Sequence, residues 1–456
     1  MNFATKVYPP DARCSARVLL FIPPKDRWKV RRPWLSCLLR PLWELAHEDL
    51  GDPATAEDLA MLQALYSRDP QPIDSAIKLA RADNSGSFME RFYVGYGHKS
   101  IADCGVVTLA IENVPMHIAK LIQHTQLYAG QEASTRYLNF ANVVFYAPTN
   151  AGRMAQEGLR NVYKNALAPM AAAMAKRFCL DVSIEADRKA ARAAAFDVLR
   201  GLIPVGAHTS LSWVVSLRHF KDHCMRMLEF ATRCHPSYRD GLGQVIEKMS
   251  TALHENFPSS VPIIRADFKP GVQEVDDPIS AVCFPRDHYG SKMERSKTTG
   301  FRFWGCSEPH IHVNWASELD FGSWRDLARH RSLRQTFPLL SGEIGPTPQM
   351  HIWYLQQILQ LIPDHYERIV VACAAAYETK DWHAYPMGTV VPYELDGPFN
   401  AFCYLTKLRS AQTVHPTLRA EIFAMRDTIG DLPVSNDNKH WVVTSKRGKQ
   451  DITLRS

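Results

Sequence analysis

Apolar residues recur every three to four positions over long stretches of the chain, and form short uninterrupted runs elsewhere, which predicts many helices joined by a few strands. The helical spacing covers residues 39–47, 56–66 and 73–82, then 115–124. It continues through the Ala-rich run 151–177, where alanines with spaced Met, Leu and Val favour one long helix. A further helix is predicted at 186–202, ending before Pro204, with others at 222–234, 238–255 and 324–331. Residues 210–219 fit either a strand or a helix. Short apolar runs at 18–24 (stopped by two prolines), 106–111, 143–148 and 311–315 read as strands. The Pro-rich stretch 257–270 is the best candidate boundary.

The second half of the pattern repeats the first. Gly86-Ser87-Phe88-Met89-Glu90-Arg91 recurs as Gly290-Ser291-Lys292-Met293-Glu294-Arg295, Gln123-His124-Thr125 as Arg329-His330-Arg331, and His235-Pro236-Ser237-Tyr238-Arg239 as His415-Pro416-Thr417-Leu418-Arg419. Spacings track as well: Glu90 to His124 is close to Glu294 to His330, and Pro204 to His235 is close to Pro386 to His415. The large difference lies between the inner landmarks, as if the Ala-rich insert were shortened in the second copy. Two sequence repeats, 1–260 and 261–456, are therefore expected, able to sit about a pseudo-twofold axis with sites formed between halves.

Composition narrows the class. With 456 residues, 46% hydrophobic and 22% charged, the chain has the length for two or three folded domains and is not of disordered type. Lys plus Arg exceed Asp plus Glu by 53 to 47, a surplus too small for a nucleic-acid coat but suited to a small anionic ligand. The basic run at 25–32 reads as a solvated face. The 10 cysteines include no Cys-x-x-Cys pair, so neither a zinc site nor a disulfide framework is indicated, and reduced thiols in a cytoplasmic protein are expected. No apolar run approaches the ~18 residues of a membrane span, and the N-terminus lacks the apolar core of a signal peptide.

Candidate chemistry concentrates between Gly97 and Tyr137. The stretch opens on the turn Gly97-His98-Lys99-Ser100 and closes on Gln131-Glu132-Ala133-Ser134-Thr135-Arg136-Tyr137. A guanidinium at Arg136 offers a two-pronged donor to phosphate, Ser134 adds a hydroxyl, and Glu132 or Gln131 can read the polar edge of a pyrimidine. Read from residues alone, the same segment also fits a charged loop capping a helix. Arg329, His330 and Arg331 place three donors side by side at a helix end, where the macrodipole alone also tolerates them. Arg239 and Arg419 each follow a His-Pro pair at a helix start, suited to an anion or to ordinary capping. His98 can donate or accept near neutral pH. His117 and His124 lack an acidic partner for a metal site, and no Gly-x-Ser-x-Gly elbow, phosphate loop or dinucleotide fingerprint occurs.

These residues resemble the flavin-dependent thymidylate synthases of the ThyX type, whose signature begins Arg-His-Arg and ends Glu-x-Ser-x-Arg-Tyr after a Gly-His-x-Ser/Thr turn. The turn is matched at Gly97-His98-Lys99-Ser100 and the ending at Glu132 to Tyr137, while Gln123-His124-Thr125 departs from the beginning and the spacing is one residue long. The first repeat answers further downstream with Ile203-Pro204-Val205-Gly206, Ser216-Leu217-Arg218, Arg226 and Arg239. The second keeps Arg329-His330-Arg331, Leu408-Arg409 and Arg419, but reads SLRQTFPLL where Ser-x-Arg-Tyr would fall. The resemblance covers about 85–255 and 285–425.

What the resemblance implies is an α+β fold of two tandem ThyX-like repeats, each a mixed or antiparallel sheet with long helices, assembling as a homodimer of duplicated chains in place of a tetramer. It implies FAD as cofactor, with NADPH and methylenetetrahydrofolate as co-substrates and dUMP or a related pyrimidine nucleotide as substrate, methylated at C5. Nucleotide contacts fall to Gln131, Glu132, Ser134, Arg136 and Arg218, cofactor contacts to Ser100, Arg329, His330, Arg331 and Arg409, and catalytic roles to His98, Arg239 and Arg419. The first repeat keeps the nucleotide-side motif and the second the flavin-side motif, so pockets combining both are expected. A diverged C5 hydroxymethyltransferase and a non-catalytic nucleotide- or flavin-binding homologue are the alternatives.

Overall fold

The computed structural model describes residues 4–8, 17–22, 55–68, 76, 84–135, 139–231, 236–265, 267, 312–336, 348–411, 414–435, 441–443 and 453–455. The helices expected at 39–47 and, apart from Ala76, at 73–82 lie outside them, as do the basic run 25–32, the Gly290 to Arg295 landmark and Arg136. The architecture is α+β: many helices with small antiparallel sheets. Chain compactness divides it into two units that interleave along the sequence, one holding Met1–Val114, Leu127–Glu132 and Thr209–Ala281, the other Pro115–Gln126, Ala133–His208 and Val282–Ser456.

The first unit is built on a four-stranded sheet, β1 (Ala4–Tyr8), β2 (Arg17–Ile22), β3 (Val106–Pro115) and β4 (His208–Ser216), in that order. β2 runs antiparallel to both β1 and β3, with Leu19 opposite Ala110. Alternation aims Val107, Leu109 and Ile111 of β3, and Leu211, Trp213 and Val215 of β4, into the core. α1 (Ala56–Tyr66) matches the predicted bounds because Thr55 and Asp58 form a reciprocal capping box. After β4 comes α5 (Leu217–Ala231), then α6 (Pro236–His254). The ambiguous 210–219 stretch therefore divides into strand and helix start, with Leu217, Phe220, Cys224, Met227 and Ala231 forming a buried helical stripe. The described part of 257–270 is no loose linker: Ile264 N donates to Ser250 Oγ at 2.9 Å and His254 Nδ1 donates to the Val261 carbonyl at 2.8 Å.

The second unit contains α2 (Met116–Gln123), α3 (Asn150–Arg177) and α4 (Glu185–Leu199), followed by a 3-10 turn at Arg200–Leu202. α3 carries Pro169 inside its length and buries Leu159, Tyr163, Ala166, Met170 and Met174. The strand expected at 143–148 is reduced to a single bridge between Phe145 and Ala207. The second sheet pairs β5 (His312–Asp320) and β6 (Arg334–Gln335) on either side of β7 (Val390–Pro398). Helices α7 (Phe321–Leu327), α8 (Ile352–Leu361), α9 (Pro363–Glu378), α10 (Phe399–Arg409) and α11 (Pro416–Ile429) complete it, with a hairpin of β8 (Trp441–Val443) and β9 (Thr453–Arg455).

At the centre of this unit two Pro-x-Gly segments pair with each other. Val205 N donates to Tyr385 O and Met387 N to Ile203 O, while Gly206 N donates to His383 O and Gly388 N to Gly201 O, all at 2.8 Å. Pro204 and Pro386 face each other across an antiparallel bridge. Each bond has a counterpart in which the partners exchange roles, at a constant sequence offset. The flanks follow suit: Met116 N reaches Ala207 O as Phe321 N reaches Thr389 O, and Tyr146 N reaches Gly206 O as His351 N reaches Gly388 O. Gly206 is required here, because a Cβ would lie 2.6 Å from the His383 carbonyl oxygen.

α7 is anchored by a buried polar network. Asp320, at its N-cap, accepts from Ser323 N at 3.0 Å, Tyr354 OH at 2.7 Å and Thr417 Oγ1 at 2.7 Å. Arg200 donates to Ser323 Oγ at 3.3 Å and pairs with Asp326 at 3.5 Å. Three donors on one carboxylate fix the helix start, and through it the turn that follows Leu327.

Candidate functional site

In the first unit the turn after Gly97 is prepared by a π-helical segment, Met89–Gly95, a distortion frequent at functional sites. Gly97 has φ +70°, which a side chain at that position would strain. His98 is exposed, 3.4 Å from Arg68 Nη2 through Nδ1, with its ring beside Phe92 and Tyr96. Ser100 opens a short helix, Ser100–Asp103, and Arg218 grips its end by donating to Asp103 Oδ2 at 2.8 Å while lying 3.6 Å from Asp222. Burial, reinforced by the Asp222 carboxylate, pushes the neighbouring Tyr93 up to about 12.

The segment expected on the nucleotide side meets β4 at Gln131 and Glu132. Ser212 N donates to Gln131 O at 2.8 Å, Gln131 N donates to Ser212 Oγ at 3.1 Å, and Glu132 forms a bridge with Leu211. Gly130 permits this approach, since a Cβ there would fall 2.0 Å from the Ser212 carbonyl oxygen. Ser134 is half-buried and belongs to the second unit. Arg239 is half-buried on α6.

In the second unit the turn after α7 brings several predicted residues together. His330 N closes the helix end on Leu327 O, and His330 Nε2 accepts from Arg409 Nε at 2.7 Å. Arg409 also donates through Nη2 to the Asp326 carbonyl at 2.8 Å, and Arg329 pairs with Asp326 at 3.5 Å. Burial, with the Arg409, Arg329 and Arg331 charges adding to it, pulls His330 down to about 3, so the imidazole is a neutral acceptor at physiological pH. Arg331 and Arg334 line a narrow cleft against Gln123, His124 and Thr125. Arg419 is placed differently: 2% exposed, it donates through Nε to the Ser410 carbonyl at 2.9 Å and lies over Phe423. It closes the turn between α10 and α11.

Arg329, Arg331 and Arg409 around one histidine form a donor set that fits the phosphates of a dinucleotide such as FAD. Asp103, Asp326 and Gln335 are positioning residues that motif reading passes over. Asp326 had a weak signal, one helical turn before Arg329; Gln335 had none, because its role depends on the carbonyls it meets. Among the described residues no group of three or more His, Cys, Asp or Glu side chains is placed to hold a metal ion, and no helix is long and apolar enough to cross a membrane.

Residues 53–259 match the family described as thymidylate synthase complementing protein. This match, over slightly less than half of the chain, supports a likeness to the ThyX type. No curated protein matches it significantly. The ThyX match contains His98, Ser100, Gln131, Glu132, Ser134, Arg136, Arg218 and Arg239, and stops before Arg329, His330, Arg331, Arg409 and Arg419. The residues expected on the nucleotide side thus fall within the matched segment, and the cluster around His330 lies outside it.

Proposed function

We propose that the chain is a flavin-dependent thymidylate synthase built as a tandem duplication, methylating dUMP at C5 with methylenetetrahydrofolate, FAD and NADPH in the cytoplasm. The observation that carries this reading is the ThyX match over residues 53–259, because the matched segment includes both the Gly97 to Ser100 turn and the Glu132 to Tyr137 ending. The exchange of hydrogen bonds between Ile203 to Gly206 and Tyr385 to Gly388 supports the duplication. A homodimer of such chains would supply sites built from nucleotide-side residues of one repeat and flavin-side residues of another.

When bound, the flavin supplies the hydride chemistry. Arg329 and Arg331 would hold its phosphates, with Arg409 keeping His330 neutral and oriented as an acceptor. Gln131 and Glu132 would read the pyrimidine edge, while Ser134 and Arg136 hold the nucleotide phosphate. Arg218, already neutralised by Asp103 and Asp222, would position the turn that presents His98 and Ser100. Arg239 is the better candidate to stabilise charge developing on the pyrimidine, because Arg419 is buried against Ser410. A second reading, a nucleotide- or flavin-binding homologue without synthase activity, is favoured by Gln123-His124-Thr125 standing where an Arg-His-Arg beginning would be.

The visible spectrum of the purified protein tests the reading first. Flavin absorbance is expected in the wild type and in Arg136→Ala, and lost in Arg329→Ala; its absence from all three removes the flavin assignment. Rescue of a thymidine auxotroph then separates synthase from binding protein, since only the former restores growth.

A further inference from the structure

The end of α1 reaches the turn after Gly97 and decides a point that the sequence leaves open at His98. Arg68 follows the helix, its backbone N donating to Leu65 O at 3.0 Å. Its Nη1 donates to the Ala64 carbonyl at 2.7 Å and to Ser67 Oγ at 3.3 Å, so the guanidinium closes the carbonyl end of α1, where the macrodipole favours a cation. Nη2 extends to the neighbouring turn and lies 3.4 Å from His98 Nδ1. One helical turn earlier, Gln63 donates through Nε2 to the Cys104 carbonyl at 3.4 Å. α1 therefore holds both ends of the 98–104 segment, while Arg218 holds Asp103.

Chemistry fixes the direction of the Arg68 contact. A guanidinium has five N–H donors and no acceptor, so it can only donate. Nδ1 of His98 is then the acceptor and bears no proton, and the single N–H of the neutral imidazole sits on Nε2. A doubly protonated ring would lose this bond and set two cations side by side. Neighbours orient the ring: His98 N donates to Phe92 O at 3.0 Å, and the imidazole lies 6.4 Å from the Phe92 ring and 6.1 Å from that of Tyr96. His98 is exposed, and the bond to Arg68 is its one side-chain hydrogen bond among the described residues.

We propose that Arg68 is a positioning residue that fixes His98 in its Nε2–H form, so that His98 meets a bound substrate or cofactor as a hydrogen-bond donor to an acceptor atom such as a ring carbonyl, and not as a base. The ligand rests on the synthase reading; the tautomer does not. Arg68 stands thirty residues before His98, outside the Gly-His-x-Ser turn, so motif reading passes over it.

The test reads the imidazole directly on the intact chain. With histidine labelled by heavy nitrogen, at about pH 8 where an ordinary imidazole is neutral, long-range proton–nitrogen correlation tells the protonated ring nitrogen from the bare one. His98→Gln identifies the His98 signals among the 18 histidines. Expected is an Nε2–H ring in the wild type, kept in Arg68→Lys, which still donates. Arg68→Glu puts an acceptor in place of the donor, and the proton should move to Nδ1. A residue that only braced the turn would not reverse the tautomer. Arg68 is exposed, so both variants should fold. Turnover in a synthase assay should fall about tenfold in Arg68→Glu, the weight of one hydrogen bond, and recover in Arg68→Lys. An Nδ1–H ring in the wild type, an unchanged tautomer in Arg68→Glu, or full activity with a reversed one overturns the proposal. Reversal as expected in a protein that makes no thymidylate sinks the synthase reading and leaves the Arg68 assignment. Synthase activity with a tautomer indifferent to Arg68 does the opposite.

Discussion

Two buried imidazoles show how far a side chain's surroundings set its chemistry. His330 is held neutral by burial and then by Arg409, so replacing Arg409 with Leu should move the His330 titration upward from about 3 toward 6.5. Imidazole proton shifts recorded by NMR across pH 3 to 8 would check this, and an unmoved titration would show that Arg409 is a bystander. His117 is fully buried, donates through Nδ1 to the Val205 carbonyl at 2.8 Å, and is pulled down to about 4 by burial. Burial alone pulls His208 down to about 4. All three are neutral in the fold and take up a proton when unfolded below about pH 6.5, so the unfolded state binds more protons and stability falls as pH drops from 6.5 toward 4. The loss for His117 is on the order of 3 kcal/mol. Urea midpoints measured from pH 8 to pH 4 should decline over that window, less steeply in His117→Asn.

At the scale of elements, the start of α7 governs the turn that carries the arginines. Asp320→Ala removes an N-cap and the shared acceptor of the Tyr354 and Thr417 hydroxyls, with an expected cost of about 3 kcal/mol and a lowered melting temperature. Arg200→Met should cost less than Asp320→Ala if the carboxylate is the hub of the network, an order thermal unfolding would reveal. Local pattern made much of this legible beforehand: α1, α3 and α4 stand close to their predicted bounds because their apolar spacing is regular, and Thr55 and Thr149 cap the first two. The strand expected at 143–148 failed for a physical reason: its apolar residues meet one bridging partner, Ala207, so no ladder forms. Helix α7 starts three residues and ends four residues before the predicted bounds, because the Asp320 side chain caps it at Phe321 by accepting from Ser323 N. For the site, motifs pointed to His330 and Arg409, but their contact depends on two elements far apart in the chain.

For the molecule as a whole, the pairing of Ile203 to Gly206 with Tyr385 to Gly388 predicts that Gly206→Ala destabilises by about 1–3 kcal/mol, since its Cβ would press on the His383 carbonyl. Denaturant unfolding measures that cost, and a neutral result would mean that the segment can shift aside. Light scattering should give the mass of two chains if the assembly proposed above is correct. Because both paired segments belong to one polypeptide, their association is a unimolecular event, set by tether rather than by concentration, and dilution cannot undo it. Covalent linkage also frees each side from having to mirror the other. In an assembly of identical copies every substitution appears on both faces at once, whereas here a change at Gln123 leaves Arg329 untouched, so each side can change independently of the other.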